Sequence, residues 1–213
     1  MSGAPCRLFV VRHGTTRMNV ENRYRGRRDV PLDAQGYQDA VDAARLLSPV
    51  GLSAVYSGPL RRTIATANVI ADEAGVEEVR IHDGLVNLDY GAWEGLTPAE
   101  AAAHDPKAFE LYRCSPLEAV CPDGESLHSA QARMLAALIE IGANHPGESV
   151  TAVSHAVMVR LAIQAILGIE GEGWRVQVRR GSAIEFQVDR GELTLQQAVA
   201  PEQPDESEAA VGA

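Results

Sequence analysis

The sequence predicts an α/β fold built on a largely parallel sheet. Three observations carry this. Short apolar runs of strand length recur along the chain: "RLFVV", "LSAVYSG" and "SVTAVSHA". Segments with apolar residues at helical spacing lie between them. Each run stops at a glycine or a polar pair, after which a helix can begin. Strands that alternate with helices pair in parallel, because each helix carries the chain back to the start of the next strand.

The elements follow in order. Residues 7–11 read as a buried strand, since a short run rich in β-branched valine suits a central position. Residues 15–34 lack a period and read as a loop. "AQGYQDAVDAARLLSPV" is a helix with Val41, Ala44 and Leu46/Leu47 at helical spacing, closed by Pro49 and Gly51. Residues 52–58 form a second strand. Pro59 can open the helix "LRRTIATANVIADEAG", which Gly75 ends. "VEEVRIHDGL" reads as a third strand. Residues 97–113 hold one or two helices, with Thr97 as cap and Pro98 in the first turn. "PDGES" is a turn, and 126–144 is a long amphipathic helix. "SVTAVSHA" is a further strand, and the helix after it runs to Leu167 and stops at Gly168. Segments 174–179, 182–189 and 192–198 are strand-like, with "DRGE" as the last turn. The stretch 201–213 is rich in proline and acid and reads as a disordered tail.

At 213 residues the chain suits one domain with one substantial core. Apolar residues make up 46% and charged residues 23%, ordinary values for a globular chain. No apolar run approaches the ~18 residues that span a bilayer, and one basic residue ahead of a four-residue apolar run reads against a secretory signal. Cys6, Cys114 and Cys121 have no metal-ligand spacing and an odd number, so they read as reduced thiols of a cytoplasmic protein. A net charge of -10 reads against nucleic acid or an anionic membrane as partner. Within this acidic chain, Arg12, Arg17, Arg23, Arg25, Arg27 and Arg28 cluster. A solvated basic loop is the plain reading of such a cluster, and an anionic ligand is the sharper one.

His13 and His155 each follow an apolar strand, and ligands of open α/β sheets bind beyond the carboxyl ends of strands. Arg12 adjoins His13, and Arg62 lies in the first turn of the helix after the second strand. One histidine after a strand is most often a hydrogen-bonded structural residue. Two, joined by two arginines and by helix N-termini, make a cage for a dianion if their strands are neighbours. Phosphate suits it, because guanidinium presents a planar fork to its oxygens. His82, His104, His128 and His145 have no such context.

These residues resemble the histidine phosphatase superfamily, the phosphoglycerate-mutase-like proteins. "RHGTTRMN" (12–19) resembles the family signature. "YRGRRDVPLDAQG", "YSGPLRRTIATA", "LVNLDYGAWEG", "PDGESL" and "VSHA" match further segments in order. The likeness spans about residues 6–170. It implies a three-layer sandwich with helices on both faces of a mostly parallel sheet, in a domain over 1–200 with a small helical cap near 94–123. It implies a phosphatase acting on a small phosphorylated metabolite through a phosphohistidine on His13. Arg12, Arg62 and His155 would clamp the phosphoryl oxygens, Asn19 would donate to them, and Gly14 would let the backbone pass beneath. Arg25 or Arg23 would reach a second anionic group. No metal or organic cofactor is implied.

One departure stands out. Where relatives carry a glutamate or aspartate that protonates the leaving oxygen, this chain has Asn87. Asp89 would substitute for it, or the leaving group would need little protonation, as in an anomeric, enolic or acyl phosphate. Otherwise the protein is a slow or non-catalytic phosphate binder, or Asn87 is an engineered trap. Thr15 also stands where Glu or Gln is common, and reads as filling the turn. A phosphoglycerate mutase is the runner-up, but only 28 residues separate Gly95 from Gly124, short for a lid that excludes water. Trp93, Phe109, Tyr112 and Arg113 read mainly as helix-packing residues of the cap. The C-terminal strands offer an edge for a homodimer.

Overall fold

The computed structural model describes residues 4–199. The expected tail, 201–213, lies outside them. A six-stranded sheet runs through the centre in the order β3-β2-β4-β1-β5-β6. Its strands are β1 Cys6–Arg12, β2 Ala54–Ser57, β3 Val79–Ile81, β4 Ser149–Ser154, β5 Ala183–Asp189 and β6 Glu192–Val199. The first four pair in parallel, and β5 and β6 close one side as antiparallel strands. Helices α2 (Ala34–Leu47) and α3 (Arg61–Ala74) cover one face; α6 (Leu127–Ala143) and α7 (Ala156–Leu167) cover the other. This is the expected α/β sandwich.

The strand pleat explains the two cores. Successive side chains of β1 point to opposite faces. Leu8 and Val10 join the cluster with Met134, Leu138, Met158 and Leu161, while Phe9 and Val11 join the one with Ala44, Leu47, Ala67 and Ile70. A strand apolar on both sides must be covered on both sides, which is why "RLFVV" reads as continuous rather than alternating.

Segment 97–113 resolves into two helices, α4 (Pro98–His104) and α5 (Pro106–Cys114). Thr97 and Glu100 form the capping box of α4. Asp105 ends α4 and caps α5 by accepting from the Ala108 amide at 3.0 Å. Trp93, Ala101, Tyr112, Ala119 and Cys121 from this region sink into the α6/α7 core rather than forming a core of their own. The three cysteines are all free thiols.

Three expectations need correction. Residues 174–179 are not a strand. They follow a 3₁₀ turn at Gly171–Trp174, and side chains claim their carbonyls: Arg160 donates to Val176 at 2.7 Å and Arg12 to Val178 at 2.6 Å. A backbone so engaged has no ladder to join. The loop 15–34 contains one helical turn, α1 (Arg17–Val20). The third strand is only three residues long, because His82 turns the chain by accepting from the Gly84 amide through Nδ1.

One contact of the sandwich is testable. A Cβ added at Gly142 of α6 would lie 2.4 Å from the Cβ of Val188 on β5. Alanine favours a helix over glycine by about 1 kcal/mol, but overpacking costs about 1–3 kcal/mol. Gly142→Ala is therefore expected to destabilise the fold, read as a lower urea midpoint; an unchanged or higher midpoint would contradict this packing.

Candidate active site

β1 and β4 are adjacent, in register, and end together. Arg12 pairs with Ser154, and the His13 amide donates to the Ser154 carbonyl at 3.0 Å. The next residue on each strand is a histidine. The two rings lie edge to face with centroids 5.1 Å apart, and both residues are almost wholly enclosed, at 1% and 2% exposure. His155 opens α7. Neither of its ring nitrogens has a hydrogen-bond partner among the described residues.

The His13 ring is oriented by its own loop. Its Nδ1 lies 2.6 Å from the Gly14 carbonyl, which can only accept. Nδ1 therefore carries the proton, and the lone pair is on Nε2. The loop is pinned on three sides. The Gly14 amide donates to Thr66 Oγ1 of α3, and Thr15 donates from both its amide and its hydroxyl to Asp39 of α2. Gly14 and Gly36 pack backbone to backbone, so tightly that a Cβ on Gly14 would meet the Gly36 oxygen at 2.1 Å. Thr15 does fill the turn, by bonding Asp39.

Arg62 of α3 is fully buried. It donates to the carbonyls of Arg28 at 2.6 Å and Gly26 at 2.8 Å, while its Nε has no partner among the described residues. Burial pushes its pKa down to about 10, against the opposing pull of Asp29 and Glu94. Asn87 donates from Nδ2 to the same Gly26 carbonyl at 3.0 Å, and its buried Oδ1 lacks a partner among the described residues. Arg12 is 5% exposed and anchored to Val178. Arg25 is partly exposed as a residue, yet its Nε is enclosed without a partner among the described residues. Burial first, then Arg62 and Arg180, push its pKa down to about 10.

This concentration of cations sets the charge of the histidines. Burial lowers the pKa of His13 well below 6.5, helped by Arg62, His155, Arg25 and Arg12. Burial does the same to His155, helped by Arg62, Arg25, Arg133 and Arg12. Both imidazoles are neutral at neutral pH.

The predicted residues do not all converge. Arg12, His13, Gly14, Arg25, Arg62, Asn87 and His155 share this neighbourhood. Asn19 is engaged locally, its Oδ1 accepting from the Thr16 amide and hydroxyl at the start of α1. Arg23 bonds Gly95 and Glu100, Arg27 faces Asp89 and Glu125, and Arg28 bonds Glu94. The arginine cluster thus divides: part is the plain solvated loop, and Arg12 and Arg25 turn inward. Asp89 is engaged by the Gly91 amide and by Arg27. Sequence reasoning missed Arg133, which donates to the carbonyls of Gly84 and Val86 at 2.8 and 2.9 Å and so holds the segment leading to Asn87. Its signal was present: a lone basic residue in the otherwise apolar run "ARMLAALI". Arg180, beside Arg25, was also missed.

Residues 8–200 match the histidine phosphatase superfamily (branch 1). The chain is 38% identical over 174 residues to the bifunctional protein Rv2228c of Mycobacterium tuberculosis, covering 78% of this chain and 47% of the relative. It thus spans about half the length of that relative. It is 33% identical over 164 residues to phosphoserine phosphatase 1 of Hydrogenobacter thermophilus, covering 77% of each. Among solved structures, YhfR of Bacillus stearothermophilus superposes with a TM-score of 0.79 at 31% identity, over 92% of this chain and 96% of that one. With the two facing imidazoles at the ends of β1 and β4, these matches establish that the chain belongs to the histidine phosphatase superfamily.

Proposed function

We propose that the protein is a phosphatase that hydrolyses a small phosphorylated metabolite through a phosphohistidine on His13. The observation that carries this reading is the bond from His13 Nδ1–H to the Gly14 carbonyl. It leaves a neutral lone pair on Nε2 in the neighbourhood of Arg62, Arg25 and Arg12, which is what a nitrogen nucleophile requires. Nε2 attacks phosphorus in line, forming a P–N bond as the bond to the leaving oxygen breaks. Arg12, Arg62 and His155 hold the three phosphoryl oxygens as charge builds on them. Water then attacks the phosphohistidine and releases phosphate. Gly14 gives the backbone its close passage under the site, and Asn19, bonded to Thr16, holds the start of α1 beside the His13 loop. The name of the Hydrogenobacter relative, phosphoserine phosphatase 1, supports hydrolysis over mutation.

The segment 94–123 serves as cap and substrate selector within a domain over 1–200. We place the protein in the cytoplasm, on its three free thiols. Among the described residues, no helix is long and apolar enough to cross a membrane. The outer edge of β6 would be the pairing surface of a homodimer.

Wild-type protein is expected to release phosphate from an aryl phosphate and to retain acid-labile label from a radiolabelled substrate. His13→Ala should lose both, with turnover down at least ~10³-fold. Label retained by the His13→Ala protein would refute the assignment of the nucleophile.

Asn87→Glu places a carboxyl where the leaving oxygen departs. Turnover of alkyl phosphates is expected to rise by ~10²–10⁴-fold, the usual worth of general acid catalysis, while aryl phosphate turnover changes far less. Equal effects on both would show that protonation is not what the chain lacks.

The two histidines also set a pH dependence. Their folded pKa values lie below the ordinary 6.5, so on the acid side of 6.5 the unfolded chain binds more protons. Stability is full above about 6.5 and falls as the pH drops toward the folded values. The thermal midpoint should decline over that acid range, and a His13→Asn, His155→Asn double variant should show a flatter decline.

A further inference from the structure

We propose that the group expelled from phosphorus is itself an anion: the site takes a phosphoanhydride, with Arg25 facing the oxygens of the departing phosphate. This rests on the phosphohistidine chemistry of the preceding section and names its substrate class.

The first argument is the disposition of the carboxylates. Asp29 accepts from the amide and guanidinium of Arg61. Glu94 accepts from the Arg27 amide and pairs with Arg28. Asp89 caps a turn and faces Arg27, and Glu125 is held by Arg133 and Arg27. Asn87 shares the Gly26 carbonyl with Arg62, and its carboxamide gives up no proton at neutral pH. An alkoxide leaving from this site would leave unprotonated, at a cost of ~10²–10⁴ in rate. A phosphate leaving group departs as a stable anion and needs no such proton.

The second argument is Arg25. Among the described residues it makes one hydrogen bond, a long one of 3.4 Å to the Arg23 carbonyl, and its enclosed Nε has none. Its strongest electrostatic neighbours are two further arginines, Arg62 and Arg180, and two phenols, Tyr90 and Tyr112. A cation with an enclosed Nε is ordinarily paired, and the charged groups nearest this one, Arg62 and Arg180, repel it. Arg12, Arg62 and His155 already suffice for one phosphoryl group. Arg25 is surplus to it and points to a second anion beside the first. A monoester with a distant carboxylate would satisfy Arg25 but leave the missing proton unexplained. An anhydride answers both, and the planar guanidinium matches two phosphate oxygens at once.

The chemistry balances without a further reactant. The Nε2 lone pair of His13 forms a bond to the terminal phosphorus. The bond from phosphorus to the bridging oxygen breaks, and its electron pair stays on that oxygen, which leaves as phosphate or as a nucleotide. Water attacks the phosphohistidine, the electron pair of the P–N bond returns to Nε2, and the proton lost by water passes to solvent.

The test is a comparison of kcat/KM for inorganic pyrophosphate, adenosine diphosphate, acetyl phosphate, glycerol phosphate and an aryl phosphate, with wild type, Arg25→Gln and Arg25→Lys. The expected result is that an anhydride exceeds glycerol phosphate by at least ~10²-fold in the wild type. The ratio of anhydride to aryl phosphate should then fall at least ~10-fold in Arg25→Gln and recover partly in Arg25→Lys. The circular-dichroism spectrum and thermal midpoint report that each variant is folded. Glycerol phosphate turned over as well as the anhydrides would overturn the inference while leaving the phosphohistidine intact. So would acetyl phosphate preferred over both anhydrides, or a ratio unmoved by Arg25→Gln. No turnover of any substrate, the aryl phosphate included, would overturn both readings.

Discussion

The amide of His13 donates to the carbonyl of Ser154 at 3.0 Å, as the last rung of the β1–β4 ladder. Every other feature of the site depends on it. Parallel strands in register rise together, so residues one step beyond the final pair emerge side by side. Here those residues are the two histidines. A register shift of one residue would turn each strand's core face outward and separate the rings. Core packing on both faces forbids that shift: Leu8 and Val10 are committed to one cluster, Phe9 and Val11 to the other.

Burial then does two things to the imidazoles. It removes water, which makes the charged form costly, and it brings fixed cations close, which adds to that cost. Both effects push the same way, so the rings stay neutral while the guanidiniums keep their charge. Main-chain carbonyls orient these arginines: Arg62 bonds Arg28 and Gly26, Arg12 bonds Val178, and Arg133, which Glu125 also pairs, bonds Gly84 and Val86. A carbonyl orients a guanidinium without neutralising it. Two like charges 4 Å apart repel by about 4 kcal/mol at an effective dielectric of 20, so a cluster built this way retains a positive field. The chain as a whole is acidic, at -10, yet its acids near the site sit at the rim in ion pairs. Arg133 links this field to the scaffold: it ties α6 to the turn that presents Asn87, and Glu125 ties Arg133 in place.

The strands and helices flanking the site were readable because their signals are local. "RLFVV" and "SVTAVS" carry their burial in their composition, and Thr97-Pro98 carries a cap in two residues. What failed was legible only through contacts. Residues 174–179 have the alternation of a strand, but Arg160 and Arg12 take their carbonyls from far along the chain. The fates of the clustered arginines are set the same way. Nothing local distinguishes Arg25 from Arg27; one is enclosed beside Arg62, and the other meets Asp89 and Glu125 at the rim.

The sequence by itself determined the alternating α/β order, the apolar strands that must lie at the centre, and the placing of His13 and His155 one step past two of them. It did so because burial and backbone geometry act over a few residues and leave their period in the chain. Tertiary structure alone decided that those two strands are neighbours, which nitrogen of His13 holds the proton and which arginines face inward. These are matters of distance between residues remote in sequence, and electrostatic and hydrogen-bonding energies depend on that distance.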